Sequence, residues 1–426
     1  MTLPTTTTAL PRSEGAVSAS PANRLRWAAL LAFVLGAAGI NGYWYWRDRE
    51  PSVSLGTVSQ WIRAKRIAEA EAALNAHLRR HPHDADARLL LARALAARED
   101  IAGCARELLR VPKWSPLRAE ALLRAGESLL ATGRAREAES ALAGVIKGDP
   151  HHAPSRPVFQ EACKDLFELY ATEDRRDDAQ ALIWKAVDEG ASSDRLPLLE
   201  VRTRSETERA SSTDARPILR RHVAADPADT EALRALARAE LAHGQRYKAR
   251  EYLSACVRAH PDDPGVWRDY LAALWNPGDQ RAFLAAVQRL PKSADSDPEV
   301  LHFRGLAHEE GGNWAKARDS YREALERNPF VAELYERLAQ VEERLGETQK
   351  AVEHQRRAES LRAARKELSD AYAAYRNAVA QLPKASEVEL DPIIKRIVTA
   401  CETLGLSRMA TAWKEQISEP GAPPPS

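Results

Sequence analysis

The feature that most constrains this chain is a spacing of 34 residues between equivalent glycine and proline positions. One series is Gly244, Gly278, Gly312 and Gly346, and a second series is Pro82, Pro116 and Pro150. A fixed period of this length indicates an array of similar units, each of which packs only on its neighbours. The chain is therefore expected to form an extended array rather than several compact domains.

Residues 298–331 show what one unit contains. The pattern predicts two amphipathic helices, 298–310 and 314–327, which are interrupted by Gly311-Gly312 and end at Asn328-Pro329. Small residues mark where the helices approach closely, and large apolar residues supply the core: Gly305, Ala317, Ala324, Leu301, Leu306, Trp314 and Tyr321. A helix pair this short is not stable alone, so it requires neighbours of the same kind.

This pattern resembles the tetratricopeptide repeat (TPR), a helix–turn–helix unit of 34 residues with glycine at the turn. The best copies are residues 119–152, 230–263, 298–331 and 332–365; a weaker copy, 85–118, has Glu99 at the turn. Residues 51–84 and 196–229 are degenerate, and 264–297 has a shortened second helix. The resemblance implies an all-α fold, a TPR-like α-solenoid in which helix-turn-helix repeats form a right-handed superhelix.

The two series of repeats are out of phase by nine residues between Pro150 and Pro227. We therefore expect an N-terminal sub-array over residues 51–195 and a C-terminal sub-array over 196–365. Residues 366–418 are expected to form capping helices, with one long helix or a bent pair before Pro383. Residues 1–26 and 419–426 have the composition of disordered tails.

An uncharged stretch of twenty residues, 27–46, precedes the array. It is long enough to cross a bilayer, and Trp27 and the cluster Tyr43, Trp44, Tyr45 and Trp46 fit its two interfaces. This predicts one N-terminal transmembrane helix; a cleaved signal peptide is the alternative. The count of flanking arginines favours repeats in the cytoplasm, whereas the resemblance to bacterial single-pass anchored repeat proteins favours an extracytoplasmic array, periplasmic in a bacterium.

Neither charge nor motifs point to catalysis or to nucleic acid. The formal net charge is +1 without a basic domain, and no phosphate-binding loop, serine elbow, zinc-protease motif or CxxC pair occurs. The histidines at 81, 83, 151 and 152 fall at turns without a ligand framework. We therefore predict no catalytic residue, no metal, no cofactor and no nucleic-acid partner, with an all-α enzyme as the least favoured class.

In tetratricopeptide arrays the first helix of each pair lines the concave face, which implies a groove that binds a protein or peptide. The polar and aromatic residues that this register places there are Arg88, Arg93, Arg124, Glu127, Arg234, Arg238, His302, Phe303, Glu309, Glu336, Arg337 and Gln340. The predicted function is a membrane-tethered scaffold that acts in assembly or client holding at the cell envelope. The alternative is a structural component that associates with copies of itself.

Overall fold

The computed structural model describes residues 53–148, 152–188, 214–276, 280–381 and 390–417, which form nineteen α-helices and one 3-10 helix. The helices of the first half are α1 (Leu55–Arg63), α2 (Ile67–Arg80), α3 (Ala85–Ala97), α4 (Ile101–Leu109), α5 (Arg118–Ala131), α6 (Ala135–Lys147), α7 (Arg156–Thr172) and α8 (Arg176–Asp188). Those of the second half are α9 (Arg216–Ala225), α10 (Thr230–Ala242), α11 (Arg246–Ala259), α12 (Pro264–Leu274), α13 (Arg281–Val287), α14 (Pro298–Glu310), α15 (Trp314–Arg327), α16 (Ala332–Arg344), α17 (Thr348–Gln381), α18 (Asp391–Thr403) and α19 (Ser407–Lys414). The 3-10 helix, Lys292–Ser296, lies between α13 and α14. The predicted all-α repeat fold is confirmed.

The unit made of α14 and α15 has the helix bounds that the sequence predicts. Asp297 caps α14 by accepting hydrogen bonds from the backbone N–H groups of Glu299 and Val300. At Gly305 an added Cβ would lie 2.2 Å from the Tyr321 ring, so only glycine permits the two helices to pack this closely. The small residue in the first helix therefore determines how near the second helix lies.

The shortened repeat is also confirmed, since α12 ends at Leu274 and α13 spans only seven residues. Two arginines of α11 bind the carbonyl groups at the end of α12. Arg246 donates to the carbonyl of Trp275 at 2.5 Å, and Arg250 donates to that of Ala273 at 3.2 Å. These charged side chains satisfy carbonyls that a longer helix would have paired with its own backbone.

At the C-terminal end, α17 is one continuous helix of 34 residues, and not a bent pair. Its first part packs on α16 as the second helix of a repeat, and its later part packs on α18. Leu368, Tyr372, Ile397 and Trp413 are buried in the core that this later part shares with α18 and α19. Helices α18 and α19 thus cover the later part of α17, and we call these two helices the C-terminal cap.

The two halves meet through polar contacts and one aromatic contact. Arg136 of α6 lies 3.5 Å from Asp226, and Arg238 of α10 donates to the carbonyl of Glu173 at 2.6 Å. Arg408 of α19 lies 4.4 Å from the centre of the Trp184 ring in α8. The C-terminal cap therefore contacts the end of the first half, so the chain curves back on itself.

The predicted membrane anchor, residues 27–46, lies outside the described residues, as do the tails at 1–26 and 419–426 and residues 196–213. Across the described ranges, no helix combines the length and apolar character that crossing a membrane requires.

Candidate protein-binding face

The first helix of each pair carries a buried residue that packs against the second helix and sets a common register. These register residues are Val58, Ala92, Gly126, Ala162, Ala237, Leu271, Gly305 and Ala339. The residues three before and one after each of them are four apart, so they lie on the same side of the helix. We call the surface formed by these two positions the groove face.

In the first half, the position three before the register residue is always apolar. It holds Leu55, Leu89, Leu123 and Phe159, of which Leu123 is buried and the others are partly exposed. The position one after the register residue holds Ser59, Arg93, Glu127 and Cys163. On α7 the stripe continues four residues further to Phe167, which is also partly exposed. One of the two rows on the groove face of the first half is therefore apolar, while the other carries the charged Arg93 and Glu127.

This apolar stripe was not predicted from the sequence. The predicted groove residues were mostly polar, and the nine-residue offset hid the register of α7. The stripe can be located from the register residue on each first helix. Counting back three residues from Ala162 identifies Phe159, and the same step from Ala92 identifies Leu89.

In the second half, the same position holds residues that ionise. They are Arg234, Arg268, His302 and Glu336, and the position after the register residue holds Arg238, Ala272, Leu306 and Gln340. Most of these charges are paired with charges on the neighbouring helices. The two halves thus share a backbone register and differ in the chemistry of their groove faces.

The strongest pairing centres on Asp269 of α12, which is 6% exposed. Arg234 Nε and Arg238 Nη1 of α10 both donate to Asp269 Oδ2 at 2.7 Å. Burial alone would lower the pKa of Arg234, but Asp269 and Glu231 hold it above its usual value. Gly265 makes room for this guanidinium, because an added Cβ would lie 2.8 Å from Arg234 Nη2.

That Arg234 contacts a partner stays a prediction, and the structure leaves little of its side chain accessible. Its side chain is 9% exposed, and its guanidinium is bound by acids of its own chain. The sequence placed it on the correct helix but could not show that Asp269 of the next helix reaches it. Arg238 is partly exposed and occupied by Asp269 and the Glu173 carbonyl.

Further along the second half, the predicted groove residues contact one another. Arg337 Nη1 lies 3.8 Å from Glu309 Oε2, and the Tyr321 hydroxyl donates to Glu309. Arg362 of α17 donates to Glu336. Phe303 stacks on His302, with ring centres 5.8 Å apart, and meets Phe283 edge to face. Gln340 is exposed.

Burial lowers the pKa of His302, although the nearby Glu333 opposes this shift. His302 Nε2 lies 4.0 Å from Glu333 Oε1. The imidazole therefore favours its neutral form in this position, stacked on the ring of Phe303.

The predicted residues of the first half are less constrained, with one exception. Arg88 donates to Glu107 at 2.7 Å and to the Pro82 carbonyl, and its side chain is 13% exposed. Arg124 pairs with Glu120 on its own helix at 2.8 Å. Arg93 and Glu127 are exposed on neighbouring first helices.

Beside Glu127, the carboxyl group of Asp165 on α7 is an acid in unfavourable surroundings. Its pKa is raised to about 6, first by burial and then by the negative charges of Glu127 and Glu161, while Lys164 opposes the shift. Lys164 itself is paired with Glu161 at 2.8 Å. This part of the groove face therefore carries negative charge that its own lysine does not neutralise.

The thiols near these surfaces do not have the character of nucleophiles. Burial raises the pKa of Cys163 to about 12 and that of Cys256 to about 11. Both remain protonated at neutral pH, so they behave as small apolar side chains.

Three segments of the chain match models of one protein family. Residues 120–152, 230–274 and 304–367 each match a model described as tetratricopeptide repeat. The matched segments cover most of the first helix α5 and all of the first helices α10, α12 and α16. No match was found among curated proteins.

The chain is also similar to solved structures of repeat proteins. MamA from Desulfovibrio magneticus RS-1 is 16% identical, with 41% of this chain and 97% of that chain covered, at a TM-score of 0.32. A thermophilic TPR protein of Thermus thermophilus is 20% identical, covering 50% and 100%, at a TM-score of 0.30. A tetratricopeptide repeat protein from Parabacteroides merdae is 11% identical, covering 60% and 97%, also at 0.30.

Proposed function

We propose that this chain, three segments of which match models of the tetratricopeptide repeat, is an adaptor that holds protein partners on its groove face. The mechanism is stoichiometric binding, in which an extended or helical segment of the partner lies across successive first helices. The groove face of the first half, α1 to α7, is the part to which we assign the main contacts.

One observation carries this assignment. In the first half, Leu89 and Phe159 keep part of their apolar surface exposed, while Arg93 and Glu127 project from the same face. In the second half, Arg234 and Arg238 are bound by Asp269. A partner gains more from covering apolar surface than from separating ion pairs that are already satisfied.

The test is site-specific photo-crosslinking in cells of the chain's source. A photo-reactive residue replaces Arg93 on the groove face or, as a matched control, Lys316, an exposed cation on the second helix α15. We expect Arg93 to capture one or a few defined proteins that Lys316 does not capture. Equal capture from both positions contradicts the proposal, and recovery of only this chain favours self-association.

We further propose that residues 27–46 tether the array to a membrane and that the array faces away from the cytoplasm. The support is the uncharged length of this stretch with aromatic residues at both ends. A reporter that is active only outside the cytoplasm, fused after Ser418, should be active. A silent reporter, together with an active cytoplasmic one at the same site, reverses the orientation.

A further inference from the structure

From the chemistry of the first half we infer that its groove face binds an amphipathic segment with a row of apolar side chains flanked by lysine or arginine. This inference rests on the proposed function, because it specifies which partner segment the groove face accepts. It is carried by an apolar stripe and by an acidic edge.

The apolar stripe crosses three consecutive first helices. Leu89 on α3, Leu123 on α5 and Phe159 on α7 hold the same register position, but Leu123 is buried, so the surface open to a partner comes from Leu89 and Phe159. Packed helices lie about 8–10 Å apart, so these two residues are separated by two such spacings, roughly 16–20 Å. A helix with apolar residues about three turns apart meets this requirement.

The acidic edge lies where α5 meets α7. Glu127 is exposed one residue after the register residue of α5, and its charge raises the pKa of Asp165 on α7. Asp165 Oδ2 is buried and accepts no hydrogen bond. A cation from the partner, placed beside the exposed carboxylate of Glu127, would relieve its repulsion with Asp165.

The neighbouring cations do not perform this role. On α7 itself, Lys164 is paired with Glu161, and Glu168 adds a further negative charge near Asp165. On α8, Lys185 acts on Cys163. On α5, Arg124 is paired with Glu120. On α3, Arg93 is exposed at the same register position as Glu127 and forms no ion pair with Asp165. The acidic edge thus selects a basic partner over an acidic one, while the apolar stripe supplies most of the binding free energy.

Among the described first helices of the second half, the position three before the register residue does not offer an equivalent surface. Arg234 and Arg268 are there paired with Asp269 and Asp297, so neither charge is left for a partner segment. A segment selected by the first half is therefore expected to prefer that half.

The experiment measures binding of a labelled helical peptide of leucine and lysine, about 18 residues long, to the full chain by fluorescence anisotropy. A peptide with the same leucines and glutamate in place of lysine is the control probe. We expect the lysine peptide to bind at least about ten-fold more tightly. Equal affinity of the two peptides overturns the inference.

Variants then locate the site. Glu127→Lys should weaken binding of the lysine peptide by about ten-fold or more, and Glu326→Lys, at an exposed position of α15, should leave it unchanged. Both variants carry the same net charge, so their difference reports location. Equal effects from the two variants place the peptide elsewhere and overturn the inference.

A pH series adds a second readout. Because the pKa of Asp165 is raised to about 6, binding of the lysine peptide should weaken as the pH falls through this value and the carboxylate is neutralised. Glu127→Lys should reduce this dependence, since it already removes the preference for a cation. A pH dependence identical to that of the unchanged chain contradicts the assigned location.

The remaining outcomes separate this inference from the proposed function. If Arg93 still captures a protein partner while both peptides bind equally, the adaptor function stands and the inference is wrong. If sedimentation shows a dimer that Phe159→Ser dissociates, and the lysine peptide does not compete, the occupant is a second copy and the inference is also wrong. If Arg93 captures nothing specific, the proposed function itself fails.

Discussion

Three residues before each buried register residue, the first half of the array carries Leu55, Leu89, Leu123 and Phe159, whereas the second half carries Arg234, Arg268, His302 and Glu336. The backbone at these positions is helical in both halves, and each position precedes a buried register residue. The difference lies in the side chains at these positions and in what they contact. Arg234 finds Asp269, while Leu89 and Phe159 retain exposed apolar surface.

The two halves use the same repeat register in different ways, one for contacts between units and the other for a surface open to a partner. Charge pairs between consecutive first helices, such as Arg268 with Asp297 at 3.1 Å, fix neighbouring units relative to each other. Leu89 and Phe159 pack against the core of the first half and still leave part of their apolar surface for a partner. The same register can thus serve cohesion in one half and recognition in the other.

The largest expected change in the free energy of unfolding comes from removing a buried acid in the second half, compared with an exposed acid in the first half. Asp269→Ala leaves the buried guanidinium of Arg234 without its main partner, which should lower the free energy of unfolding by about 3–5 kcal/mol. Glu127→Ala, on the exposed groove face of the first half, should change it by less than about 0.5 kcal/mol. Urea unfolding followed by circular dichroism measures both, and equal losses would remove the distinction between the halves.

The next largest effect is a pH dependence of stability caused by Glu173. This residue lies at the junction of the halves and is 2% exposed. Its pKa is raised to about 7, first by burial and also by Asp229, although Arg175 opposes the shift. Folded-state stability is therefore lost as the pH rises from about 4.5 to about 7, because the unfolded chain ionises first. The limiting loss is on the order of 3 kcal/mol.

Glu173→Gln removes this ionisation and leaves Arg175 paired with Glu139 and Asp178. The variant should be more stable than the unchanged chain at pH 8, and the difference should shrink towards pH 5. Thermal unfolding across this range provides the measurement. A difference that does not vary with pH would show that Glu173 does not titrate at the junction.

A smaller effect compares close helix contacts in the two halves. In Gly305→Ala the new Cβ would lie 2.2 Å from the buried Tyr321 ring, which should cost about 1–3 kcal/mol. In Gly126→Ala it would lie 2.5 Å from Leu142 Cγ, a side chain that can adjust more easily. We expect the second loss to be smaller in the same unfolding assay. The reverse order would indicate that the aromatic contact is the more adaptable one.

The smallest effect concerns the turns within repeats. Lys65 and Glu99 adopt φ of 60° and 64° in the first half, where Gly244 and Gly312 adopt 75° and 70° in the second. A side chain in this left-handed region is strained, so Glu99→Gly should stabilise the chain by about 1 kcal/mol. Gly312→Glu should destabilise it by a similar amount. A loss of stability in Glu99→Gly would show that the side chain contributes more than the strain costs.

The sequence predicted the helices best where short-range signals mark both ends. Gly311-Gly312 and Asn328-Pro329 delimit α15, and the predicted bounds agree with the structure. The turn role of Glu99 was visible in the same way, since the period placed it where other repeats have glycine. Turns and helix ends depend on the backbone conformation of a few consecutive residues, so a short stretch of sequence is enough to predict them.

The groove face was harder to predict because it depends on residues of neighbouring units. The period assigned Arg234 to a first helix, but its burial results from Asp269, one repeat later. Phe159 was missed because the register of α7 is offset from the period. Local sequence thus reveals which side of a helix faces the groove, and only the packed array reveals which side chains remain free there.

The continuous helix α17 has a consequence for how the array unfolds. A helix of 34 residues is about 51 Å long, and it belongs to the last repeat at one end and to the cap at the other. Elsewhere a turn separates the two helices of a pair, so a unit can open without its neighbour's backbone being disturbed. Here the last repeat and the cap share one hydrogen-bonded helix, so the two are expected to unfold together as a single cooperative block.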